Sequence, residues 1–178
     1  MRISSDLQDL PADRVRRSLE GFPAATGYAI EVRPLRYRDR PHLSAWTDFD
    51  ARLIVLQVPE PFFPFGEIVP YAAKRRPGKG MRFIWLTEGL TFRTRREVIR
   101  FLYLHEWMHA RGTVELPARG NRKAIGETVC DRFALFNYRR KLVTIDDAEA
   151  ALRWRDGAPK VGAGAEPDAA SDQLRLIG

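Results

Sequence analysis

His105, Glu106 and His109 stand together in the run Phe101-Leu-Tyr-Leu-His-Glu-Trp-Met-His-Ala-Arg-Gly112. On an α-helix, side chains four residues apart lie one above the other, so the two imidazoles can converge on one metal ion. Glu106 lies beside the first histidine without having to be a ligand, within reach of a water that the ion activates. This is the H-E-x-x-H pattern, in which two histidines hold zinc and the glutamate acts as general base.

The flanking residues predict the helix that such a site needs. Thr94-Arg-Arg-Glu97 forms a capping box at its start, and Gly112 is a suitable left-handed stop. Between them Val98, Phe101, Leu102, Leu104 and Met108 supply apolar surface for burial. Two histidines and a glutamate on a buried helix are costly unless something binds them.

A catalytic zinc usually takes three protein ligands and keeps one position open. The chain has only one other histidine, His42, in a loop far upstream that reads as exposed. Glu115 completes His105-Glu-x-x-His-x-x-Gly112-x-x-Glu115, which imitates the metzincin spacing with Glu for the last His. That class needs a later methionine for its Met-turn, and the methionines here are Met1, Met81 and Met108. Glu127 is the preferred candidate. It falls on a second helix expected from Asn121, read as its N-cap, to about Lys141. Asp131, one turn later, can orient a ligating histidine through its other ring nitrogen. A competing role for Glu127 is a surface pair with Lys123, one turn earlier.

Glu127-Thr-Val-Cys-Asp131 resembles the second motif of the gluzincin branch of zinc metallopeptidases, where a ligand Glu and a supporting Asp are spaced E-x-x-x-D. The wider run Glu127-x-x-Cys130-x-x-Phe133-Ala134 is similar to the E-x-x-A-x-x-F-A segment of ImmA/IrrE-type metallopeptidases, with Cys for Ala. Arg111 departs from the hydrophobic residue usual two positions past the second histidine. The resemblance spans about residues 44–140. It implies a zincin-like α+β fold, a small twisted sheet packed on an active-site helix and a glutamate-bearing helix. It also implies Zn2+ held by His105, His109 and Glu127, with Glu106 as catalytic base and Asp131 behind a ligand. The reaction implied is peptide-bond hydrolysis of a peptide or protein substrate. Tyr103, Tyr138 or an arginine are candidates to assist the oxyanion.

Composition sets the frame. The chain has 178 residues, ordinary apolar and charged fractions, and a single cysteine, Cys130, so an internal disulfide is impossible. No apolar stretch reaches the ~18 residues of a transmembrane helix, and the N-terminus lacks a signal-peptide core; a cytoplasmic protein without membrane partners is expected. The net charge of +7 gathers at Arg33–Arg40, Lys74–Lys79, Arg93–Arg100 and Arg139–Lys141. These patches are possible nucleic-acid contacts, although no nucleic-acid motif accompanies them.

The elements that must position the motif follow from local signals. Residues 11–20 predict a first helix stopped at Gly21, and Tyr28–Arg33 a strand. Ser44–Phe49 and Arg52–Val58 predict a hairpin around Asp50, its first strand being the edge on which an extended substrate can pair. Pro59–Pro70, with four prolines and Phe62, Phe63 and Phe65, reads as an ordered aromatic loop whose rings are pocket or core residues. Lys74–Gly80 reads as an exposed loop and Met81–Leu86 as a strand. In the glutamate helix Ile125, Val129, Cys130, Phe133 and Phe136 make the buried side, and Thr144–Asp147 caps a last helix ending near Trp154. Residues 1–156 are expected to form one metallopeptidase domain and 157–178 a disordered tail. The reading that follows is a zinc metalloendopeptidase. The alternative is a non-catalytic regulatory or nucleic-acid-binding protein on the same scaffold.

Overall fold

A computed structural model of the chain describes residues 1–75, 83–111 and 121–153. Within them the order is β1 (Ile3–Ser5), α1 (Ala12–Ser18), β2 (Ala29–Leu35), β3 (Ser44–Asp48), β4 (Leu53–Pro59), β5 (Phe65–Arg75), β6 (Phe83–Phe92), α2 (Arg95–Ala110), α3 (Asn121–Asn137) and α4 (Ile145–Arg153). The fold is α+β. β1, β2, β4 and β3 form one mixed sheet in that order, and β5 with β6 forms a separate two-stranded ribbon.

β4 is the hub of the mixed sheet. It pairs in parallel with β2, which pairs in parallel with β1, and antiparallel with β3 through the hairpin over Asp50. Alternation along the strands sends Ile30 and Val32 of β2 and Ile54, Leu56 and Val58 of β4 into one core. α2 lies over β3 and β4 and packs side by side with α3, so a single apolar cluster joins sheet and helices. Its α2 contribution includes Val98, Phe101, Leu102, Leu104 and Met108, all buried.

Both ends of this arrangement are set by local chemistry. Thr94 Oγ1 accepts from Glu97 N, and the Glu97 carboxylate accepts from the backbone at Arg93 and Thr94, completing the expected capping box. Gly21 follows α1 with φ of 82°, and a Cβ there would meet the Lys141 carbonyl at 2.0 Å, so only glycine fits. Thr144 and Asp147 cap α4 reciprocally. Gly112, Glu115 and the segments 76–82 and 154–178, including the expected tail, lie outside the described residues.

Several expectations are corrected. The expected aromatic loop shrinks to residues 60–64, because β4 continues through Pro59 and β5 begins at Phe65. Pro70 sits inside β5 next to a register shift, which a two-stranded ribbon tolerates because each strand has a free edge that needs no donor. β6 starts at Phe83 and runs to Phe92, longer than the expected strand. β1, a three-residue strand, went unanticipated. α3 ends at Asn137 rather than near Lys141. Phe136 is 61% exposed rather than buried, because the inward stripe of α3 runs through Val129, Cys130, Phe133, Ala134 and Asn137 and leaves it off that face. No described helix is long and apolar enough to cross a membrane.

Candidate metal centre

α2 and α3 bring the motif residues together. His105 and His109, four apart on α2, turn their Nε2 atoms to within 3.2 Å of each other. Glu127 on α3 reaches across, its Oε2 lying 3.3 Å from His105 Nε2 and 3.4 Å from His109 Nε2. Asp131, the next turn of α3, places Oδ1 at 2.8 Å from His105 Nδ1. Both histidines are largely shielded, whereas the Glu127 side chain is 39% exposed.

The chemistry of these side chains suits a cation. The Asp131 carboxylate accepts from His105 Nδ1–H, which turns Nε2 toward His109 and Glu127. Nε2 lies 3.3 Å from a carboxylate oxygen, a contact that either a proton on Nε2 or a metal ion shared by the two atoms satisfies. The titration behaviour has the same origin. Burial alone would lower the His105 pKa, yet its hydrogen bonds to the accepting carboxylates of Asp131 and Glu127 raise it to about 10. Hydrogen bonds from His105 and then His109 hold Glu127 far below the usual carboxylate range.

The spacing also fits zinc. Bonds of about 2.0–2.1 Å in tetrahedral geometry separate neighbouring ligand atoms by about 3.3–3.4 Å. The three separations here are 3.2, 3.3 and 3.4 Å. Among the described residues these three side chains are the group able to share an ion.

Glu106 adjoins the cluster and is 5% exposed. Burial pushes its pKa up, against the opposing pull of His105, Thr47 and His109. Thr47 on β3 donates from Oγ1 to Glu106 Oε2 at 2.8 Å, with the Glu106 carbonyl a longer 3.3 Å away. Thr47 was not singled out from sequence. The one signal for it was strand parity, since Ala45 and Thr47 share the face of β3 turned to α2. A cavity of about 370 Å3 opens beside Glu106, His105 and Asp131, bounded by Leu43, Ser44, Ala45, Phe101 and Leu102.

Other expected participants lie elsewhere. Tyr103 is buried and donates to the Pro23 carbonyl at 2.6 Å. Tyr138 packs between the rings of Phe92 and Phe101. Arg111 pairs with Glu149 at 3.2 Å and stacks over Trp107. Phe65 is buried against Phe92, Phe62 packs beside it, and Phe63 is 58% exposed, so none lines the cavity. His42 is exposed in its loop. The basic patch at Arg93–Arg100 loses Arg100, which is buried over the Phe22 ring with its guanidinium donating to the Arg140 carbonyl. No protein-family model, no curated protein and no solved structure matches this chain.

Proposed function

We propose that this chain is a zinc-dependent metalloendopeptidase of the gluzincin kind on a zincin-like fold. His105, His109 and Glu127 are its metal ligands, Glu106 its general base and Asp131 the support behind His105. The carrying observation is the triangle of His105 Nε2, His109 Nε2 and Glu127 Oε2, each 3.2–3.4 Å from the others, with a buried glutamate beside it. When bound, zinc supplies Lewis acidity that makes water a nucleophile near neutral pH.

The side chains divide the remaining work. Glu106 takes the proton as water attacks a peptide carbonyl and delivers it to the leaving amine. A carboxylate with a raised pKa suits both halves of that transfer, since it accepts a proton more readily than an exposed glutamate and still releases it. Thr47 holds one carboxylate oxygen so that the other is presented to the reacting water. Asp131 fixes the His105 ring and its tautomer. β3, outermost in its sheet, offers unpaired backbone groups to an extended peptide, and the adjoining cavity receives a side chain.

The test is elemental analysis of protein purified without added zinc, together with Glu127→Ala, Glu115→Ala and Glu106→Gln. Stoichiometric zinc should be lost in Glu127→Ala and kept in the other two, with peptide cleavage abolished in Glu106→Gln. Zinc lost only in Glu115→Ala overturns the ligand assignment, and full cleavage by Glu106→Gln overturns the assigned base. A wild type that takes up no zinc even when supplied overturns the enzyme and leaves the regulatory or nucleic-acid-binding alternative.

A further inference from the structure

Several arginines on the surface of the fold are answered by a nearby carboxylate. Arg16 pairs with Asp13, Arg33 with Glu31, Arg139 with Glu97 and Arg140 with Asp147. Four others gather around a cleft of about 540 Å3 between α1 and the first turn of α2. Arg14 and Arg17, one turn apart on α1, face Arg95 and Arg96 at the start of α2, and the carboxylates present are Asp9 and Glu20. Four guanidinium groups therefore meet two acids.

Those acids do not satisfy the arginines. Asp9 is taken by Arg95, and Arg14 donates to the Asp9 carbonyl at 3.1 Å. Arg95 Nε is shielded from water and has no acceptor among the described residues. Arg17 and Arg96 are exposed, and among the described residues neither donates to an acceptor nor pairs with an acid. Converging like charges with unused donors favour an anion, and planar guanidinium forks match the oxygens of a phosphate group. The volume falls within the range of about 300–1,000 Å3 typical of small-molecule sites. The charge gathers about one concavity rather than along a stripe, which favours a small ligand over a nucleic-acid backbone.

We infer that this cleft is a binding site for a phosphate-bearing small anion, with Arg17 and Arg96 as its principal contacts. It is independent of the metal centre. Arg95 precedes His105 by ten residues, which is about 15 Å along the axis of α2.

Calorimetric titration of the full-length chain with inorganic pyrophosphate at physiological ionic strength tests this without any metal or hydrolysis readout. Saturable binding at one site is expected, weakened at least tenfold in Arg17→Gln/Arg96→Gln. Binding should be unchanged in Arg38→Gln/Arg40→Gln, which removes the same charge from exposed positions elsewhere. Both pairs are exposed, so neither double variant should disturb folding, and matched thermal unfolding checks that. Absence of saturable binding, or equal weakening in the two double variants, overturns the site. A single-stranded oligonucleotide that binds through Arg17 and Arg96 while pyrophosphate does not overturns the small-molecule assignment.

Discussion

Glu106, the proposed general base, is held by one neighbour. Thr47 Oγ1 has a single proton, and its shorter contact is to the carboxylate oxygen rather than to the backbone carbonyl. A hydrogen bond to a charged acceptor contributes about 1.5–3 kcal/mol, more than most neutral ones. Thr47→Val keeps the volume and removes the donor, freeing the Glu106 carboxylate to rotate out of line. In a peptide-cleavage assay kcat should fall by about 10–100-fold, the range for losing a supporting partner, while KM moves little. Thr47→Ser should restore most of the rate, because it restores the hydroxyl. Equal kcat in wild type and Thr47→Val would leave Thr47 as packing only. The contrast with Glu127 and Asp131 explains what was readable beforehand. Those two lie four apart on one helix, as the two histidines do on another, so the spacing alone puts each pair on one face. Thr47 stands 59 residues from Glu106 on a strand, and no local pattern joins them.

At the scale of elements, α2 carries both histidines and the proposed base, so its start sets their height against α3. Thr94 accepts from Glu97 N at 3.2 Å while Glu97 closes the box, and Arg139 pairs with the same glutamate. Thr94→Ala removes the side-chain acceptor and should cost about 1 kcal/mol. Chemical denaturation should show a lower midpoint with an unchanged m-value, since the surface buried stays the same. An unshifted midpoint would mean that packing against β3 and β4 alone fixes the first turn. Helices were legible here because their caps are short-range: Thr94, Gly21 and Thr144 each stand where their chemistry acts. Strands were less so. β1 is three residues long and owes its existence to pairing with Ile30–Val32, far along the chain. β5 carries Pro70 and follows a proline-rich stretch, and only its partner β6 makes a ribbon of it.

For the molecule as a whole, the question is whether the proposed metal centre builds the fold or is built by it. One apolar cluster runs from Leu7 and Val15 through Ile30, Ile54 and Leu56 to Phe101, Phe133 and Ala148, and none of these depends on an ion. α2 and α3 are already held by Met108, Val129 and the stacked rings of Trp107 and Phe133. The proposed ligands therefore meet in a preformed cleft, unlike small zinc domains that are unfolded without metal. Zinc binding to the folded chain alone should then act by mass action, adding about 2.7 kcal/mol at a free concentration one hundred times Kd. For a chain of this size that corresponds to a Tm rise of about 5–10 °C. Stripping zinc with a chelator should lower Tm by that amount while far-ultraviolet circular dichroism at room temperature stays unchanged. Glu127→Ala should unfold at the same temperature with or without zinc. Loss of the helical signal on chelation would show that the ion holds α2 against α3, and the continuous core would then be too weak to do so. A wild type whose Tm ignores saturating zinc would mean that the His105–Glu127 contact is satisfied by a proton, in keeping with the raised pKa of that histidine.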